Sequence, residues 1–131
     1  MLGCRKCVHP GVKSLWEFHQ AGDPARIATM HDGWGAAIRV APVGIFHTSS
    51  DLDAIVVGAR EASICTHGGS LAIAAAAATA AAVSGAVEGG SAQQILSLAE
   101  WAADLAEDRW PGSSAPAFAD SIRRADDDLA A

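Results

Sequence analysis

The sequence contains no tyrosine, and aromatic residues make up only 5% of its 131 positions. Strands are usually rich in β-branched and aromatic side chains, so this shortage argues against a domain built on a sheet. Half of the residues are nevertheless hydrophobic, and many of them are alanine, the strongest helix former. The composition therefore predicts one all-α domain, a helical bundle.

Positive charge is also scarce, with nine Lys and Arg residues against 15 Asp and Glu and a formal net charge of -6. The basic residues are scattered, and an acidic surface repels a phosphate backbone, so no nucleic-acid partner is expected. Three cysteines form no pattern typical of a secreted disulfide scaffold, and the basic N-terminus lacks the apolar run of a signal peptide. We therefore expect a cytoplasmic protein.

The common catalytic signatures are missing as well: Gly-x-Ser-x-Gly, Walker A and His-Glu-x-x-His strings do not occur. Cys4, Cys7 and His9 offer three potential zinc ligands where a structural site needs four, which favours an inert terminal segment. The carboxylates fall outside or opposite the apolar helix faces, where caps and solvated surfaces are expected; they are Asp51, Asp53, Asp104, Glu107, Asp108 and Asp126 to Asp128. No catalytic residue and no metal ligand is predicted.

Helical patterns dominate the second half of the chain. A capping box of Ser50 and Asp53 precedes an amphipathic helix over 51–65, and a second box, Ser91 with Gln94, begins a helix over 91–108. Between them the alanine-rich run predicts a central, most buried helix ending at a glycine pair, 89–90. A membrane span over 71–87 is the weaker alternative, because the run is short and alanine inserts poorly.

Less regular segments surround this core. Residues 1–30 are predicted to form an irregular leader with a short helix around 12–20. Residues 31–110 are predicted to form the helical core, and residues 111–131 are predicted to form a peripheral helical tail through Phe118 and Ile122. The apolar run 36–46 is either a helix kinked at Pro42 or an edge strand. Composition leaves these two possibilities open.

Two motifs in a fixed order indicate more than a generic helical domain. The first runs Gly33-Trp-Gly-Ala-Ala-Ile-Arg-Val-Ala-Pro-Val-Gly44, and the second, Thr66-His67-Gly68, precedes the alanine-rich helix. Together they resemble the central part of the ADP-ribosylglycohydrolase family, which includes dinitrogenase-reductase-activating glycohydrolases and J1 crystallins, over about residues 31–106. Members of that family usually carry Gly-Asn-Gly-Ala-Ala-Met-Arg-Ile-Ala-Pro-Leu-Gly and Thr-His-Gly-His-Pro.

The resemblance implies an all-helical fold with a site at one end of the bundle. There two magnesium ions would hold the ribose diol and activate water for cleavage of an ADP-ribosyl bond. By this likeness ADP-ribose, or an ADP-ribosylated substrate, is the expected ligand. The implied substrate-binding residues are Gly33, Trp34, Gly35 and His67.

The sequence departs from the family pattern at several of these positions. Trp34 replaces the loop asparagine, which suggests stacking on adenine or ribose, and Gly69 replaces the second loop histidine. The acidic Thr-Asp-Asp and Gly-Asp-Thr-Asp strings, which supply the family's magnesium ligands, do not occur. The sequence therefore predicts a partial glycohydrolase that is inactive alone, or a non-catalytic ADP-ribose-binding or structural module, with self-association or a partner chain covering exposed apolar faces.

Overall fold

The central helix is the alanine-rich one. A computed structural model describes residues 32–112 and 117–130, with side chains to 128, and Trp16, His19, Gln20 and Gly22. In the described ranges 32–112 and 117–130 there are six helices, α1 Gly35–Arg39, α2 Ala41–Phe46, α3 Leu52–Ser63, α4 Ser70–Val87, α5 Ala92–Arg109 and α6 Phe118–Ala130. No strand occurs among the described residues, which confirms the all-α prediction.

Helix α4 contacts each of the five other helices with bounds given above. Its small side chains let their backbones come close on every side, and Ala76, Ala77 and Ala80 are fully buried. Gly44 shows how close: a methyl group there would collide with the carbonyl oxygen of Ala80. By length and composition α4 could cross a membrane, and 56% of it is buried inside the bundle, as in the core helix of a globular protein.

Helices α1 and α2 settle the two possibilities left open for the apolar run. Both segments are helical, and Val40 between them keeps right-handed helical angles, φ -88° and ψ -2°. Pro42 lies in the first turn of α2, where its missing N–H costs nothing because that N–H would have no partner inside the helix. Proline therefore divides a helix here and does not mark an edge strand.

The N-cap of helix α3 lies one residue later than predicted. The N-cap is Asp51, whose carboxylate accepts the backbone N–H of Ala54 at 3.1 Å. The predicted cap, Ser50, instead shares a hydrogen bond of 2.9 Å with the hydroxyl of Thr48. The predicted capping box of Ser50 and Asp53 was therefore wrong. Aspartate caps a helix as effectively as serine does, and the hydroxyl of Ser50 is engaged by Thr48 instead.

Helices α4 and α5 are joined by the glycine pair as predicted. Gly89 adopts φ +78°, and the N–H of Gly90 donates to the carbonyl of Gly85 at 2.9 Å, which closes α4 with a Schellman motif. The capping box at the start of α5 is confirmed, with Gln94 N 3.4 Å from Ser91 Oγ and Ser91 N 2.8 Å from Gln94 Oε1.

Helix α6 packs on α5 through an apolar face that includes the buried Ala119. Its first turn is capped by Glu107, which accepts the backbone N–H of Phe118 at 2.6 Å. Arg123 then forms ion pairs with Asp104 at 3.4 Å and Glu100 at 2.7 Å. These carboxylates cap and pair, as their positions outside the apolar faces predicted.

Candidate functional site

The glycine loop of the first motif lies where α1 begins. Trp34 is the N-cap residue of α1 and has helical angles, with no side-chain cap. Its indole is 81% exposed, whereas Gly33 and Gly35 on either side are half-buried. The loop thus presents a flat aromatic surface to solvent, flanked by backbone without side chains. His31, which precedes it in sequence, lies outside the described residues.

The histidine of the second motif is held rigidly in the connection between α3 and α4. His67 is 2% exposed, and its backbone N–H donates to the carbonyl of Ser63 at 2.8 Å. The ring nitrogen Nδ1 is hydrogen-bonded to Oγ1 of Thr66 at 2.8 Å. Because the loop is tied both to the end of α3 and to its own threonine, the imidazole has one fixed orientation.

The two loops meet. An ideal Cβ built on Gly35 would lie 2.7 Å from Cε1 and 3.0 Å from Nε2 of His67, so the backbone of the glycine loop rests on the imidazole ring. Only glycine allows this approach. Of the four residues predicted to bind substrate, Gly35 and His67 are in direct contact, and Gly33 and Trp34 directly precede Gly35 in the chain.

Asp32 joins the same two loops and was missed by the sequence analysis. Its Oδ1 accepts the backbone N–H of Ala72 at 3.2 Å, in the first turn of α4. The N-cap of α4 is Gly69, which has no side chain to cap with, so the carboxylate comes from another loop. A side chain at 69 would collide with Asp32. The carboxylate therefore occupies the space that the side chain of residue 69 would need.

A cationic group lies beside this arrangement. Arg39, at the end of α1, donates from Nη1 to Sγ of Cys65 at 3.5 Å, two residues before His67. Its side chain is exposed. Sequence analysis did not single out Arg39, because nothing in a local pattern shows that α1 would lie against the α3–α4 connection.

The described residues were also compared with the ligand set that a magnesium site needs. Among the residues that the structure describes, no three His, Cys, Asp or Glu side chains are grouped so as to hold a metal ion. Asp32 is engaged with the first turn of α4, and Asp126 on α6 accepts from Gln93 at 3.0 Å. These donors do not fit a two-magnesium centre, which needs several oxygen ligands in one place. Cys4, Cys7 and His9 lie outside the described residues.

A groove of about 600 Å³ lies at the other end of α4. It is lined by polar groups that include Glu88 and Gln94 and by one wall of Trp101. The Glu88 carboxylate accepts the backbone N–H of Ser49 at 2.8 Å, and the Ser49 contacts lower the pKa of Glu88. Since α4 separates it from the two loops, the groove is not part of their site.

The fold is a helical bundle around an alanine-rich helix. At one end of that helix, a glycine loop rests on a buried histidine, so the candidate site of this helical protein is built from loops. Comparison with known families makes this specific. The model of the ADP-ribosylglycohydrolase family matches residues 3–131, so the chain belongs to the ADP-ribosylglycohydrolase family. No curated protein and no solved structure matches the chain. The family match extends on both sides of the 31–106 region that carries the motifs, and it includes α6.

Proposed function

We propose that this protein binds ADP-ribose, or the ADP-ribosyl group of a modified substrate, where the glycine loop meets His67. The observation that carries the proposal is the contact between Gly35 and the buried imidazole. It brings both motifs of the family to one place, and each motif alone would be weak support. Membership of the ADP-ribosylglycohydrolase family supplies the ligand class.

Each group in the site has a role that suits this ligand. Gly33 and Gly35 have no side chains that would keep diphosphate oxygens from their backbone N–H groups, and the guanidinium of Arg39, which donates to Cys65 two residues before His67, supplies a positive charge. The exposed face of Trp34 is available to stack on adenine or ribose. His67 is 2% exposed and lies beneath the glycine loop, so its role is to position the backbone of that loop.

Hydrolysis needs more than these residues. Magnesium ions of the kind the family resemblance implies would supply Lewis-acid activation of water, but the described side chains do not gather the ligands to hold them. We therefore propose that the chain binds ADP-ribose without cleaving ADP-ribosyl bonds on its own. Cleavage would require metal ligands from a partner chain or from sequence outside the described residues.

Calorimetric titration of ADP-ribose with and without magnesium tests the proposal. Micromolar binding that magnesium does not change is the expected result. Stacking on an aromatic side chain contributes about 1–3 kcal/mol, so Trp34→Ala should weaken binding by roughly 5- to 150-fold. Trp101→Ala is the matched control, because Trp101 is also exposed, at 58%, but lines the distant groove.

The other outcomes are equally informative. Binding that strengthens markedly with magnesium would show that a metal site exists, and hydrolysis should then be assayed. If ADP-ribose does not bind at all, the chain is a structural module that keeps the fold of the family without its ligand.

A further inference from the structure

Asp32 lies at the start of the glycine loop, and the protein uses only one oxygen of its carboxylate. Oδ1 accepts the backbone N–H of Ala72 at 3.2 Å, which fixes the direction in which the carboxylate points. The residue is exposed, and among the described residues no hydrogen bond or ion pair engages Oδ2. This second oxygen is therefore available to accept hydrogen bonds from a ligand.

The carboxylate belongs to the place where the two loops meet. Asp32 precedes Gly35, whose backbone rests on the imidazole of His67, by three residues. On the side of the histidine loop, an ideal Cβ built on Gly69 would lie 3.0 Å from Oδ2 of Asp32. Since Gly69 follows His67 by two residues, Oδ2 lies beside both loops.

The charge of Asp32 decides which part of the ligand it can contact. ADP-ribose has a negatively charged diphosphate, which a carboxylate repels. The groups of ADP-ribose that can donate a hydrogen bond to a carboxylate are the ribose hydroxyls and the amino group of adenine. Two neighbouring hydroxyls offer two donors side by side, and in dinucleotide-binding folds an acidic side chain binds the ribose hydroxyls in this way.

Trp34 places the ribose of adenosine near this carboxylate. The indole is 81% exposed and available to stack on adenine. Asp32 is two residues away, which is at most about 7 Å along the backbone. An adenine that stacks on Trp34 therefore brings its own ribose close to Asp32.

We infer that Asp32 binds the 2′- and 3′-hydroxyls of the adenosine ribose and thereby selects against ligands that carry a phosphate at the 2′ position. The inference rests on the proposed function, because it requires ADP-ribose to bind where the two loops meet. A 2′-phosphate removes one hydrogen-bond donor and brings a like charge against the carboxylate. Asp32 is thus a specificity-determining residue as well as the cap of α4.

Calorimetric titration of ADP-ribose and of 2′-phospho-ADP-ribose into the unmodified protein and into Asp32→Asn tests the inference. The unmodified protein should bind ADP-ribose at least about a hundredfold more tightly than the 2′-phosphate, because a donor is lost and two like charges meet. Asp32→Asn keeps an acceptor for the N–H of Ala72 and removes the charge. ADP-ribose should then bind about 5- to 15-fold more weakly, and the preference should fall to about tenfold or less.

Asp51→Asn is the matched control. Asp51 is also an exposed N-cap carboxylate, and it accepts the backbone N–H of Ala54 at 3.1 Å. It lies at the start of α3, whereas the histidine loop follows the end of that helix, about 18 Å away along the helix axis. Asp51→Asn should therefore bind both ligands as the unmodified protein does, and thermal unfolding should show that both variants are folded.

The possible failures are distinguishable. If the unmodified protein does not bind ADP-ribose, the proposed function and this inference fail together. If ADP-ribose binds but Asp32→Asn leaves the preference unchanged, or if Asp51→Asn reduces the preference equally, only the inference fails. It also fails if Asp32→Asn no longer weakens binding once hypoxanthine replaces the adenine of ADP-ribose, because the carboxylate would then contact the adenine amino group.

Discussion

Gly35→Ala should push the two loops apart, because the added methyl group has no room beside His67. The new carbon would lie 2.7 Å from Cε1 of the imidazole, a distance that real structures do not tolerate. The ring cannot withdraw easily, since it is 2% exposed and hydrogen-bonded to Thr66. The start of α1 must therefore move away from the connection between α3 and α4.

The cost can be worked from packing and helix propensity. Overpacking a well-filled site destabilises a protein by about 1–3 kcal/mol, and replacing a helical glycine by alanine returns up to about 1 kcal/mol. The return is smaller at Gly35, which is the first residue of α1. A net loss of about 1–2 kcal/mol would lower the Tm by roughly 3–10 °C for a domain of this size. ADP-ribose binding should weaken by at least about tenfold, because the loop no longer rests on the histidine.

Thermal unfolding followed by far-UV circular dichroism, together with calorimetric titration of ADP-ribose, measures both effects. Gly58→Ala in α3 is the control, since its Cβ would meet only the ends of side chains, Val43 Cγ1 at 3.0 Å and His47 Nε2 at 3.6 Å. That variant should be neutral or slightly more stable and should bind normally. The reasoning is refuted if Gly35→Ala is as stable as the unmodified protein and binds ADP-ribose equally well.

Three further substitutions test the packing, the capping and the electrostatics of the fold. Gly44→Ala should cost about 2–3 kcal/mol in urea unfolding, because the methyl group meets the rigid carbonyl of Ala80; an unchanged midpoint would show that α2 can move off α4. Asp32→Ala should cost about 1 kcal/mol, as loss of a helix cap does, and Asp32→Asn, which keeps an acceptor for Ala72 N–H, should recover most of it; equal losses would argue against the cap. Because the pKa of Glu88 is lowered from its ordinary value of 4.5, the contribution of this carboxylate to stability is present above pH 4.5 and is lost as the pH falls below that value. Glu88→Gln should therefore show a smaller drop in Tm on acidification than the unmodified protein. An identical drop would contradict the assignment.

The regular helices were predictable because their signals are local. The capping box of Ser91 and Gln94 and the glycine pair that closes α4 depend on residues a few positions apart. The alanine-rich run also allowed a prediction that its helix is buried, since small side chains allow neighbouring helices on every side. Where two local signals competed, as Ser50 and Asp51 did for the cap of α3, the sequence could not show that Thr48 would engage the hydroxyl of Ser50.

The site was predictable only as two separate loops. Family resemblance singled out Gly33, Trp34, Gly35 and His67, but their contact arises from the way α1 packs on the α3–α4 connection. Asp32 escaped notice because its partner, the N–H of Ala72, lies far along the chain. One signal could have indicated it: a helix whose N-cap is glycine needs its cap from elsewhere.

An NMR titration that follows the backbone amide signals of the isotope-labelled protein as ADP-ribose is added tests the central claim most directly. If the glycine loop and the histidine loop form one ADP-ribose site, the signals of Gly33, Gly35 and His67 and the indole signal of Trp34 should shift together and yield a single Kd. Shifts confined to the groove beside Trp101, or the absence of any shift at saturating ligand, would contradict the claim.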